Sequence, residues 1–120
     1  MTYNKTTYLK AIGDGLLMSM DKYKDAVVFG EGVDNITGVY GTVLPAYKKF
    51  GPGRVIDTPL SENALTGIAI GASLNGIRPI LFHQRNDFIM LTMDQLVNHA
   101  AKIRYFSGGR HKVPMTVVSF

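Results

Sequence analysis

Cysteine is absent from all 120 residues. Neither a disulfide framework nor a thiolate metal site can therefore form, and the absence suits a reducing compartment. Charge is sparse as well: 18% of residues are charged against 46% hydrophobic, which fits a globular chain and excludes a disordered one. Long apolar runs are missing. The longest nearly apolar stretch, 64–74, is interrupted by Thr66 and Ser73 and is too short to cross a bilayer. The first ten residues are polar and mixed, so no signal peptide is expected. These absences together predict a soluble, cytoplasmic protein with no membrane partner.

A basic stripe is lacking too. The 13 Lys and Arg outnumber the 9 Asp and Glu, giving a net charge of +4. The positive residues are spread out, apart from Lys102, Arg104, Arg110 and Lys112. Without interleaved aromatics or a docking motif, that run reads as a solvated face, and no nucleic-acid partner is expected. The length fits one domain, 1–120, large enough for a core and small for an autonomous enzyme.

What is present is an alternation of patterns. Leu9, Ile12, Leu16 and Met20 recur at helical spacing and predict a helix over 6–20. The run from Ala26 to Phe29, ending at Gly30, suits a buried strand. Residues 31–43 read as a long loop, and a short helix then runs to Phe50, stopped by Gly51-Pro52-Gly53. A second strand is expected over 54–57. Ser61 is placed to cap a helix reaching about Asn75, with Gly76 as its stop. A third strand spans 78–82. Met93, Leu96, Val97, Ala100 and Ala101 form the stripe of a helix ending before Gly108, and a fourth strand covers 114–119. Such alternation implies an α/β fold with a mostly parallel sheet flanked by helices, and function at the carboxyl ends of its strands. The last strand has no helix after it, although parallel strands are normally covered on both faces. Either a partner completes the sheet or the chain is one part of a longer one.

Several residues invite a functional reading, each beside a structural one. Gly13-Asp14-Gly15 has the composition of a diphosphate and magnesium motif, yet it falls inside a helix rather than at a strand end, so no metal ligand is assigned to it. Gly67 and Gly71, flanked by Ala64, Ala69 and Ala72, let another backbone approach closely. That backbone could belong to the chain's own sheet or to a second subunit. His83, His99 and His111 show no metal-ligand spacing, and neither a Gly-x-Ser-x-Gly elbow nor a Cys nucleophile occurs. His83 to Asp87 places five polar residues just beyond a strand, as an ordinary loop or a binding loop. Glu62 sits in the first turn of a helix, where the dipole alone favours a carboxylate. It also follows the second strand at the edge where such sheets bind ligands.

In consecutive order, the chain carries Val28-Phe29-Gly30-Glu31-Gly32-Val33, the run from Phe50 through Gly51-Pro52-Gly53-Arg54-Val55-Ile56-Asp57-Thr58-Pro59-Leu60-Ser61 to Glu62, and Gly67-Ile68-Ala69-Ile70-Gly71-Ala72. Gly76-Ile77-Arg78-Pro79, Asp94-Gln95-Leu96-Val97-Asn98, Ala100-Ala101-Lys102 and Ser107-Gly108-Gly109 follow. Together these segments resemble the N-terminal, pyrimidine-binding (transketolase-like) domain of the β subunit of thiamine diphosphate-dependent 2-oxo acid dehydrogenases, of pyruvate, branched-chain or acetoin type.

The resemblance implies specific roles. The glutamate matching Glu62 shares a proton with the pyrimidine ring nitrogen of thiamine diphosphate, and so activates the thiazolium carbon that attacks the 2-oxo acid. Burial against apolar walls would raise the pKa of such a carboxyl group. Phe88 matches an aromatic that packs on the pyrimidine, and Gln84 a wall position that is more often apolar. Glu31 resembles an acidic residue of a polar channel between paired sites. Magnesium and the diphosphate are held mainly by an α-type subunit, which favours the interface reading for Gly67 and Gly71. The acyl group passes to the lipoyl group of an acyltransferase. The β subunit of that family continues well past residue 120, so the chain is expected to be C-terminally truncated, oligomeric and inactive alone. Transketolase-like ketol transfer and a non-catalytic assembly module that pairs with an α-type subunit are the alternatives.

Overall fold

The computed structural model describes residues 5–120. Residues 1–4, part of the polar stretch read above for a signal peptide, lie outside the described residues. The first helix, α1, spans Tyr8–Lys22, two residues later than its periodicity predicts. Thr7 ends up outside the helix as its cap, with its side chain accepting from the Lys10 amide at 3.2 Å. Leu16 and Met20 of the stripe are buried, while Leu9 stays at the surface.

Strand β1, Ala26–Gly30, is followed by turns and one tight 3-10 turn over Gly38–Gly41. Helix α2, Leu44–Phe50, ends where Gly51 takes φ +71°, a left-handed conformation open to glycine. Strand β2, Val55–Asp57, leads to helix α3, Glu62–Leu74. Strand β3 runs over Arg78–His83, one residue beyond the expected 78–82. Helix α4, Asn86–Ile89, continues through a 3-10 turn at Met90–Thr92 and a wide π turn over Asp94–Ala100 into helix α5, Ala101–Phe106. Strand β4, Thr116–Ser119, follows.

The single helix expected around Met93–Ala101 is therefore several pieces. In a π turn the hydrogen bonds span five residues rather than four. That rotates the apolar stripe off a common face, so Val97 is 52% exposed and Ala101 is exposed.

All three strand pairings are parallel, in the order β2-β1-β3-β4. Side chains of successive strand residues point to opposite faces, and here both faces are covered. Val28, Val55, Ile80 and Phe82 pack with Leu16, Met20, Val43 and Ala46 on one side. Phe29 and Leu81 pack with Leu65 and Ala69 of α3 on the other. This is the α/β architecture with a parallel sheet flanked by helices that the alternation of elements predicted.

Arg54 ties the first half together. Its guanidinium donates to the carbonyl oxygens of Met20 (3.0 Å), Tyr23 (2.8 Å) and Ala26 (2.8 Å), and lies 4.7 Å over the Phe50 ring. It thereby satisfies carbonyls at the end of α1 and fixes the turn into β1, while its own segment enters β2. Arg54→Ala is expected to lower unfolding free energy by about 2–4 kcal/mol, because several carbonyls lose a charged donor at once. Urea denaturation checks this, and a loss within about 0.5 kcal/mol would show the guanidinium to be dispensable.

Candidate functional site at the carboxyl edge of the sheet

The strand order creates one natural crevice. The chain leaves β1 towards β2 and leaves β3 towards β4, so the exits of these two neighbouring strands part company. In open parallel sheets that switch point, at the carboxyl ends, is where ligands bind. Glu31 follows β1 and Gln84 follows β3, and the Gln84 Nε2 donates to the Glu31 carbonyl at 3.0 Å. Asp57, at the end of β2, accepts the Gly32 amide on its Oδ1 at 2.5 Å. These two hydrogen bonds hold the segment after β1 to both neighbouring strand ends.

Helix α3 begins over this edge. Glu62 is its first residue, half-buried, and its position at the helix N-terminus favours a carboxylate. Ser61 stands at the cap position, yet its side chain makes no capping hydrogen bond, contrary to its expected role. Its backbone, at φ −169° and ψ 82°, departs from the usual geometry of a capping residue. The Ser61 carbonyl still accepts from the Leu65 amide at 2.9 Å, so the helix starts there.

The cleft has two ends. The inner end is lined by Glu31, Leu60, Ser61, Glu62, Leu65, Phe82, His83 and Gln84. The outer part, about 520 Å³, is lined by Glu31, Leu60, Glu62, Gln84, Arg85, Phe88 and Leu91. All four residues assigned to the site from the sequence, Glu31, Glu62, Gln84 and Phe88, line this one cleft. Gln84 does so with its amide nitrogen engaged by the Glu31 carbonyl, which accounts for a polar side chain at a wall position.

Other readings change. His83 is the last residue of β3 and only 3% exposed, not the start of a polar loop. Asn86 and Asp87 belong to α4, so the expected five-residue loop shrinks to a two-residue link. Arg85 was part of the candidate binding loop, whereas Leu60, Leu65, Phe82 and Leu91 were not singled out from the sequence. Leu60 could have been, since it follows closely on the end of a parallel strand. Leu65 and Leu91 are apolar residues in helical segments, indistinguishable there from core.

Gly13, Asp14 and Gly15 lie inside α1, as their helical setting implied. Asp14 pairs with Lys10 at 2.6 Å, and a Cβ on Gly13 would stand 2.9 Å from the Thr42 carbonyl oxygen. The glycine is there for close approach of α1 to the segment entering α2. Gly67 and Gly71 do not carry the packing of α3 on its own sheet, which falls to Leu65 and Ala69. Gly67 faces Gln95, and a Cβ on Gly71 would meet nothing within 4 Å. His99 lies 3.6 Å from Asp94 on the surface, and His111 is exposed, both away from the cleft. No helix among the described residues is long and apolar enough to cross a membrane.

Burial holds the His83 imidazole below its ordinary pKa of 6.5, while the negative charge of Glu62 acts in the opposite direction. The unfolded chain therefore takes up this proton at a higher pH than the folded one, and stability declines as pH falls below 6.5 towards the folded midpoint. Relative to His83→Gln, the parent chain should lose stability between about pH 7.5 and pH 5, with a slope of at most about 1.4 kcal/mol per pH unit. Urea titrations of both proteins across that range check it; parallel curves would mean that His83 titrates alike folded and unfolded.

Residues 4–119 match the family described as transketolase, pyrimidine binding domain. The chain is 40% identical over 111 residues to the 2-oxoisovalerate dehydrogenase subunit beta of Bacillus subtilis, covering 92% of this chain and 34% of that protein. It is 39% identical over 113 residues to the pyruvate dehydrogenase E1 component subunit beta of the same organism, covering 94% and 35%. With the mitochondrial pyruvate dehydrogenase E1 component subunit beta of Bos taurus it shares 38% over 111 residues, covering 92% and 31%. The chain thus spans about a third of the length of the curated relatives it matches. Its parallel sheet, the cleft at the switch point and these matches place it in the transketolase pyrimidine-binding domain family, on the side of the 2-oxo acid dehydrogenase β subunits.

Proposed function

We propose that this chain supplies the pyrimidine side of a composite thiamine diphosphate site, in a cytoplasmic enzyme that oxidatively decarboxylates a 2-oxo acid and passes the acyl group to a lipoyl group. The observation that carries the reading is the convergence of Glu62, Phe88, Gln84 and Glu31 on one cleft at the sheet's switch point. The cleft suits an aminopyrimidine, a flat ring with a polar edge. Its inner end offers carboxylates and an imidazole Nε2 that is buried without a partner, and its outer part offers Leu60, Phe88 and Leu91.

When bound, thiamine diphosphate supplies the electron sink for loss of carbon dioxide from the 2-oxo acid. The Glu62 carboxyl group would face a ring nitrogen and share a proton with it. Phe88 and Leu60 would line the ring, and the Gln84–Glu31 hydrogen bond ties together the segments that follow β1 and β3. The described residues carry no Gly-Asp-Gly motif at a strand end, so the diphosphate and magnesium would be held mainly by an α-type partner chain. The open surface at Gly71 of α3 would be available to such a subunit.

Calorimetry with thiamine diphosphate and magnesium, on the chain co-expressed with an α-type partner, tests the reading. Binding should require the partner and weaken at least about tenfold in Glu62→Gln, the size of one lost hydrogen bond to a charged group. Equal affinity in parent and variant would remove Glu62 from the site. A stable complex indifferent to the cofactor would instead mark a non-catalytic assembly module.

A further inference from the structure

His83 is the one buried titratable side chain lining the cleft, and the proposed function gives it no step. Its side chain is 3% exposed, and its Nε2 is buried with no hydrogen-bond partner among the described residues. A buried imidazole nitrogen without a partner costs free energy, so such an atom calls for an explanation. The neighbours on its own sheet offer none. β1 and β4 contain no charged residue, and Ser119, opposite His83 in the register of β3 and β4, is already bonded to Asn86. The charge that acts on it is that of Glu62, which lines the cleft; Asp87 of α4 is exposed. Glu62 is the only charged residue of α3. Glu31 shares the inner end from the segment after β1, and Arg85 lies in the outer part.

We propose that His83 is a positioning residue for Glu62: its Nε2–H donates to one water that in turn donates to the Glu62 carboxylate, and so holds that carboxylate towards the ligand. The inner end of the cleft, which both residues line, encloses about 10 Å³, room for a single water with polar partners on its walls. A neutral imidazole has one donor and one acceptor nitrogen. With Nε2 as the donor, the water accepts from the ring and donates onward to the Glu62 carboxylate. Glu62 is the charge that His83 senses through the protein, and it favours the protonated ring. The proposal rests on Glu62 facing a ligand in this cleft, and it adds the group that aims it.

Two-bond proton–nitrogen spectra of the full chain test the pair. In the neutral imidazole of the parent chain, the proton should reside on Nε2. Glu62→Gln should lower the His83 titration midpoint by about half a pH unit or more, since an opposite charge is lost. Glu62→Asp, which keeps the charge but withdraws it, should lower it less. A proton on Nδ1, or one midpoint shared by all three proteins, would overturn the proposal. The tautomer is read on the unaltered chain, so the test survives a variant that does not fold. Adding the aminopyrimidine half of thiamine separates this proposal from the function it rests on. With the α-type partner bound, a coupled pair whose spectrum ignores the pyrimidine upholds the His83–Glu62 pair and counts against the cleft as a pyrimidine site.

Discussion

The parallel pairing of β1 with β3 is the contact on which the rest of this molecule is arranged. It lies at the centre of the sheet, with Val28 opposite Ile80 and Phe29 opposite Leu81. Because the two strands run the same way, both end at one edge; because their connections depart to opposite sides, the edge opens there into a cleft. Every cleft residue discussed above is placed by that arrangement. Glu31 and Gln84 are the residues that follow the paired strands, and Glu62 enters from the helix that crosses back from β2 to β3.

The cleft is a compromise between two solvents. Its outer part is lined by Leu60, Phe88 and Leu91, which favour a flat apolar face, while the inner end gathers two half-buried carboxylates and the His83 imidazole, whose burial favours its neutral form. Polar groups are tolerated so deep because the backbone is tied down around them. The Asp57 carboxylate holds the Gly32 amide, and the Gln84 amide holds the Glu31 carbonyl. A carboxylate at the first turn of α3 is stabilised by the helix while standing in the cleft, so one residue serves both the fold and the site.

Much of this was legible in the residues. The periodicity of Leu16 and Met20, the short apolar run of β1 and the glycine stop after Phe50 each marked a real element, since burial of one face and the conformational freedom of glycine act locally. The consecutive family segments led to the four cleft residues. His83 was misread as the start of a loop: nothing local distinguishes a strand's last residue from the first beyond it, and pairing with β4 decides the matter. Met93 to Ala101 read as one helix because the pattern cannot announce a π turn. Ser61 had the composition of a cap without its geometry.

The order of side chains alone settled the class of fold, the number of strands and the family, because alternating apolar patterns and short consecutive motifs are properties of neighbouring residues. Three-dimensional packing alone settled which residues share the cleft, that Gln84 bridges to Glu31, and that His83 is buried beside Glu62 with a nitrogen to satisfy. Those facts depend on which strands lie side by side, and on the bonds between segments more than fifty residues apart that hold Gln84 to Glu31. No local pattern encodes them.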